Sequence, residues 1–351
     1  MSARDELRMS EIQTSEQLWD FMTTPTDGLI EFAPELDGDV MVMGAAGKMG
    51  VELAGTLIRA DREAGVDRKV HAASRFSDPT SDARRTLEQL GTVVHRGDFT
   101  EPAFLEDLPD VPNIVFMAGM KFGTSRDWRL AFHLNCIMPY LVGERFADSR
   151  IVAFSSGNPY PHTPVERGGC TEDDALSPQG VYGWGIVARE SALATTAKRH
   201  AAQRTCLFRL CYAQHLGYGV LVDLARMVRD GEPVSLSMPA VNLISQRDAI
   251  DVSLRTLGRC QNPPFVLNCS GPVVRVRRIV EKLAETMNRR PRFADEEAET
   301  ALIADDSRAV DLFGPYRDTP DEMIEAAARW VLRGGEYWDK PTLFGKVNHQ
   351  Y

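Results

Sequence analysis

Val40-Met41-Val42-Met43-Gly44-Ala45-Ala46-Gly47-Lys48-Met49-Gly50 decides how this chain is read. Four apolar residues run into a glycine-rich turn, and a helix-forming segment from Val51 to Ala64 follows. Strand, Gly-x-x-Gly-x-x-Gly turn and helix in that order form a site for a dinucleotide pyrophosphate. The glycines let the backbone approach the phosphates, and the helix start offers unpaired N–H groups at the positive end of its dipole. Gly44, Ala46, Gly47, Lys48, Met49 and Gly50 are therefore candidate cofactor-binding residues. The competing reading is a tight turn in an α/β protein that binds nothing.

Working outward, strand and helix candidates alternate. Lys69–Ala73, Thr92–His95, Val111–Ala118, Ile151–Phe154 and Arg204–Leu210 read as buried strands. Helical stretches at Ser81–Leu90, Trp128–Phe146 and Tyr182–Ala202 separate them. This predicts an α/β fold, a doubly wound parallel sheet of Rossmann type. Ahead of it, residues 1–38 form an N-terminal extension. Thr14 to Gln17 reads there as a helix cap, and Pro25 and Gly28 read as breakers. Residues 39–212 make the dinucleotide-binding domain, and 213–333 a smaller substrate lobe with part returning to the sheet. Helices are expected at Val220–Arg229, Asp248–Leu257, Arg277–Met287 and Asp321–Val331. The tail, 334–351, reads as a strap over the surface rather than part of a site.

Composition excludes several classes. The 351 residues carry a formal net charge of −10 and no dense Lys/Arg tract, which argues against nucleic acid or an anionic membrane surface as partner. No apolar run is long enough to span a bilayer, and Met1–Glu6 lacks the apolar core of a signal peptide. Six cysteines form no Cys-x-x-Cys pair and read as reduced thiols of a cytoplasmic protein. No His/Cys/carboxylate cluster has metal-ligand spacing, so no metal is expected.

Other chemistry-bearing residues follow the strands. Ser74 and Arg75 end the second strand, where an acid would bind ribose hydroxyls. A Ser-Arg pair suits a 2′-phosphate instead, so NADP is preferred to NAD. Asp98 and Phe99 follow the third strand, and Asp98 either accepts from adenine or forms an Asx turn. Phe154-Ser155-Ser156-Gly157 and Tyr182-Gly183-Trp184-Gly185-Ile186 complete the set.

With these motifs, and with Met117-Ala118-Gly119-Met120, Thr171–Pro178 and Arg209, the chain resembles an extended short-chain dehydrogenase/reductase of the NAD(P)-dependent epimerase/dehydratase group, over roughly Asp39 to Trp330. The resemblance implies that Ala118, Gly119 and Met120 border the cofactor. It implies that Tyr182 is the general acid/base, also bordering the cofactor, and that Ser156 hydrogen-bonds the reacting oxygen. It also implies a homodimer built on the helices near Trp128–Phe146 and Tyr182–Ala202, with Trp184 compatible with such a contact.

Two departures stand out. The family's Lys four residues after the Tyr is Ile186 here. Bringing a phenol from a pKa of about 10 to near 7 takes about 4 kcal/mol, which isoleucine cannot supply. Lys121, just after the fourth strand, is the expected substitute. Second, nucleotide-sugar members place an Arg seven residues before an Asp in the second lobe. If that Asp is Asp248, the matching residue is Val241. Arg275, Arg277 and Arg278 could compensate. The expected substrate is a carbohydrate-like molecule other than a nucleotide sugar, held against Ser156, Tyr182 and the His162–Glu166 loop. The first turn also resembles that of dihydrodipicolinate reductases, but their His-His and Lys-containing stretch is missing. A dinucleotide sensor without turnover is the non-enzymatic alternative.

Overall fold

The computed structural model describes residues 7–339 together with Thr342 and Phe344. Its centre is a seven-stranded sheet: β1 (Val40–Met43), β2 (Val70–Ser74), β3 (Val93–Arg96), β4 (Asn113–Phe116), β5 (Arg150–Ser156), β6 (Arg204–Leu210) and β7 (Phe265–Cys269). The spatial order is β7-β6-β5-β4-β1-β2-β3, with every neighbour parallel. The order reverses between β1 and β4, which opens a crevice at the carboxyl ends of those strands.

Alternation along the strands sorts side chains to two faces. Val40, Val42, Val115 and Val152 pack with α3 (Gly50–Ala64) and α10 (Gln246–Arg255). Met41, Met43, Ile114, Phe116, Ile151 and Ala153 face α5 (Pro102–Asp107), α7 (Met138–Arg145) and α8 (Gly180–Arg199). Every residue of β1 is buried, as a strand covered on both faces requires. A second core joins α9 (Val220–Asp230), α11 (Val276–Thr286) and α13 (Pro320–Leu332) to α1 (Ser15–Thr23) through Leu18, Phe21 and Met22. Thr14 caps α1, accepting from the Gln17 amide at 3.2 Å.

Three local expectations need correction. Gly28 does not break the chain but lies inside α2 (Asp27–Phe32), where a Cβ would meet the Arg255 guanidinium at 3.0 Å. The expected helix Trp128–Phe146 is α6 (Trp128–Phe132), a π-helical turn (His133–Ile137) and α7. The turn carries Asn135, whose buried amide bonds both the N–H and the C=O of Met120, at 2.9 and 2.7 Å. Such π turns inside a helix commonly mark functional positions. Finally, β7 is a strand that the alternation did not reveal, because Asn268 interrupts its apolar run. Asn268 is buried and bonds Tyr160 Oη and the carbonyls of Cys170 and Asp305.

Among the described residues no helix is long and apolar enough to cross a membrane. No group of three or more His, Cys, Asp or Glu could hold a metal ion, and the six cysteines are free.

Candidate active site

The glycine turn closes over the end of β2. Gly44 N donates to Ala73 O at 2.8 Å, and Gly47 N to Gly44 O at 2.9 Å. Gly44 has φ +92°, which disfavours any side chain, and a Cβ there would lie 2.8 Å from Ala118 N. At Gly50 a Cβ would lie 2.5 Å from Ala45 O, so this glycine lets α3 pack on the turn. At Gly47 a Cβ would meet only Gly44 O, at 3.1 Å, and otherwise stand in open space. Met49 caps α3 without a side-chain acceptor, and Glu52 in the first turn is held by His215 at 3.0 Å. The start of α3 thus carries no side-chain cap at Met49.

Two adjoining cavities share Gly44, Gly47, Lys48 and Met117. The larger, about 950 Å³, runs along Ala46, Ser74, Arg75, Asp98, Phe99 and Ala118–Gly119. Arg84 and Arg96 also line it, so the end beside Arg75 is rich in guanidinium. Asp98 Oδ1 is taken by Thr100, from N at 3.0 Å and from Oγ1 at 2.8 Å, while Oδ2 faces Arg75 at 3.9 Å. Burial works to raise the Asp98 pKa, but the Thr100 bonds and Arg75 outweigh it and hold the carboxyl below the usual range.

The smaller cavity, about 380 Å³, gathers Met49, Ser156, Tyr182 and Lys121. The two serines are separated by their bonds. Both line the smaller cavity, but Ser155 Oγ donates to Glu190 at 2.5 Å, whereas Ser156 Oγ bonds Asn158 at 2.9 Å. Glu190 is also forked by Arg209, at 2.9 and 2.7 Å, and Arg209 reaches Tyr160 Oη at 2.7 Å. This buried framework ties β5, β6 and α8 together and sets the angle at which α8 presents Tyr182. Lys121 Nζ lies 5.5 Å from the Tyr182 ring centre. Desolvation pulls the Lys121 ammonium down to about 8, opposed by Cys211. Lys48 Nζ sits over the Tyr218 ring at 3.4 Å.

Several sequence-derived candidates lie elsewhere. Gly50 and Met120 line neither cavity; Gly50 is packed beneath Ala45, and the Met120 backbone is bonded to Asn135. The His162–Glu166 loop also stays out of the walls. Its Thr163–Pro164 segment pairs with Thr300–Ala301, and Glu166 bonds Arg275 at 2.6 Å. The arginine cluster is spent on carboxylates: Arg275 and Arg277 on Glu297, Arg278 on Asp321. The tail is more than a strap. Trp338 stacks on His215 at 4.4 Å and lines the larger cavity, while Thr342 and Phe344 line the smaller one. Trp338 has no sequence signal beyond being a large aromatic in a tail. Its remaining residues from 345 onward, with 340, 341 and 343, lie outside the described set.

No family model matches the sequence, and no curated protein does. Solved structures do match. MoeE5 in complex with UDP-glucose and NAD is 23% identical, with a TM-score of 0.67 over 85% of this chain and 99% of that one. The UDP-glucuronic acid 4-epimerase from Bacillus cereus, in complex with UDP-glucuronic acid and NAD, is 16% identical, with a TM-score of 0.67 over 84% and 99%. The Bordetella bronchiseptica enzyme WbmH in complex with NAD+ is 19% identical, with a TM-score of 0.66 over 84% and 98%. At these identities the likeness establishes the fold, a Rossmann-like α/β sheet flanked by helices.

Proposed function

We propose that this protein binds a nicotinamide dinucleotide along the larger cavity. In the smaller one it would act on a carbinol carbon of a carbohydrate-like substrate, as an epimerase, dehydratase or dehydrogenase. The observation that carries the reading is the junction of the two cavities at Gly44, Gly47, Lys48 and Met117. There the phosphate-type turn meets Ser156, Tyr182 and Lys121. When bound, the nicotinamide supplies the centre that takes up and returns hydride. Tyr182 would take or return the hydroxyl proton, and Ser156 would orient the oxygen that carries it. Lys121 adds positive charge beside the phenol while protonated.

Ser74 and Arg75, with Arg84 and Arg96 near by, favour NADP through its 2′-phosphate. The solved structures hold NAD, so an enzyme that binds NADH tenfold tighter than NADPH removes that assignment.

The smaller cavity has no arginine in its wall. If Asp248 is the counterpart of the Asp that follows a phosphate-binding arginine by seven residues, the arginine's place is taken by Val241, which is buried. The absence of an arginine fork favours a free sugar, sugar acid or polyol, although Lys48 and Lys121 in the same wall offer point charges to a phosphate. The UDP-sugars bound by MoeE5 and the Bacillus cereus enzyme support the opposite reading, a nucleotide-sugar substrate. Incubation with NADP+ or NAD+ and a panel of free sugars, beside UDP-glucose and UDP-glucuronic acid, separates them. Nicotinamide absorbance reports net oxidation, and proton NMR reports epimerisation. Turnover of the UDP-sugars alone sinks the diphosphate-free reading. Dinucleotide binding without any turnover favours a sensor.

A homodimer belongs to the same proposal. Trp128, Leu130, Phe132, Ile137 and Trp184 are exposed on α6, the π turn and the start of α8, and Trp184 is 56% exposed. Apolar side chains gathered in this way mark an interaction surface, and a second copy of the chain is the occupant we assign.

A further inference from the structure

Ile186, buried at the position of the missing lysine, gives Tyr182 no charge. A different cation lies on the same face of α8. Arg189 follows Tyr182 by seven residues, two helical turns, which brings it round to within about 20° of the same direction. Long helical side chains lean back toward the helix N-terminus, the end of α8 that carries Tyr182. The residue is 4% exposed. Gly119 makes the space, since a Cβ there would fall on the guanidinium.

Among the described residues Arg189 bonds neutral acceptors alone: Phe154 O at 2.8 Å, Ala118 O at 2.6 Å and Asn135 Oδ1 at 3.2 Å. Its Nε is buried with no acceptor. Among the described residues no carboxylate forms an ion pair with it. The adjacent Glu190 is engaged by Arg209 and Ser155. A buried charge without a counter-ion is costly, and this one lies where β4 and β5 end, beneath the cleft. Burial lowers its pKa to about 10, which leaves it charged at neutral pH, and Tyr182 is the main group pulling it back up. Coupling of this kind is reciprocal: if the Tyr182 phenolate favours charged Arg189, charged Arg189 favours the phenolate.

Resting on the acid/base reading of Tyr182 above, we propose that Arg189 is a positioning residue whose permanent charge stabilises the Tyr182 phenolate and whose bonds hold the Ala118 and Phe154 strand ends. Lys121 is less suited to that role, because desolvation lowers its pKa to about 8. Tyr218 and, beside Lys121, Cys211 also lie near Tyr182. Lys48, over the Tyr218 ring at 3.4 Å, is a further cation lining the same cavity.

The test uses the full chain with tyrosines labelled at Cζ, titrated by carbon NMR without dinucleotide or sugar. The Tyr182 resonance is assigned by its loss in Tyr182→Phe. The expected result is a Tyr182 midpoint that rises by one unit or more in Arg189→Met and stays within half a unit in Arg189→Lys. If the methionine variant does not fold, Arg189→Gln carries the same expectation. An unchanged midpoint in a folded neutral variant overturns the proposal. So does a rise of one unit in the folded lysine variant, which would make geometry rather than charge responsible. Because no cofactor is present, a protein that never binds NADPH still reports on Arg189. Failure of the dinucleotide reading is therefore seen separately.

Discussion

Two glycines of the same turn should respond in opposite ways to one added methyl group. At Gly50 an ideal Cβ lies 2.5 Å from Ala45 O, 2.6 Å from Ala45 Cα and 2.7 Å from Ala45 C. Carbon contacts prefer about 3.5–4.0 Å. All three atoms are backbone, so no rotamer change relieves the overlap and α3 must move off the turn. Overpacking of this kind costs about 1–3 kcal/mol, and rigid backbone places Gly50→Ala at the upper end. At Gly47 the new methyl meets only Gly44 O, at 3.1 Å, and φ is not in the left-handed region. The small crowding is offset by the lower entropy of the unfolded chain, worth about 0.4–1 kcal/mol. Gly47→Ala should therefore unfold in urea within about 1 kcal/mol of wild type. Its methyl nevertheless occupies the surface that both cavities share. Losing one charge-assisted contact to a phosphate costs about 1.5–3 kcal/mol, a tenfold to hundredfold weaker NADPH. Urea unfolding and NADPH titration on both variants check the pair. A Gly47→Ala protein that binds NADPH like wild type, or a Gly50→Ala protein as stable as wild type, refutes the reasoning.

The Arg209–Glu190 fork is buried on both sides, so Arg209→Met should cost about 3–5 kcal/mol in urea unfolding by stranding the carboxylate. Arg209→Met combined with Glu190→Leu should recover much of that loss. Lys121 holds fewer protons folded than unfolded between its lowered value of about 8 and 10.5, so its burial makes stability rise with pH across that window. That rise should flatten in Lys121→Met, as read by thermal melts at stepped pH; an identical pH slope in both proteins would sink the assignment. Trp184→Glu should shift sedimentation from dimer to monomer, and a wild-type chain already monomeric at high concentration ends the interface reading.

The sheet was legible because buried parallel strands are short apolar runs punctuated by turns, and β6 falls at the residues read as a strand, Arg204–Leu210. What escaped did so for local reasons. Asn268 serves as a buried hydrogen-bond hub, so β7 loses its apolar signature. Asn135 needs a π turn to reach Met120, and pattern reading cannot distinguish that turn from continuous helix. Gly28 reads as a breaker, yet its space is filled by Arg255 from a helix more than two hundred residues away. In the site, a four-residue spacing directs attention to Ile186. Arg189 becomes visible only when the space beside Gly119 and the neutral acceptors around the guanidinium are known. Trp338 and Phe344 reach the cleft through tertiary contacts of the tail, which leave no periodic trace.

The most direct test of the central claim is a titration of the wild-type protein with NADPH and NADH. Energy transfer from tryptophan is a suitable signal, since Trp19 and Trp338 line the larger cavity. Saturable binding is expected, tighter for NADPH, with Arg75→Ala removing that preference while leaving NADH unchanged. No binding of either nucleotide up to about 1 mM would contradict it, and the cleft would then belong to a fold relative that handles no dinucleotide.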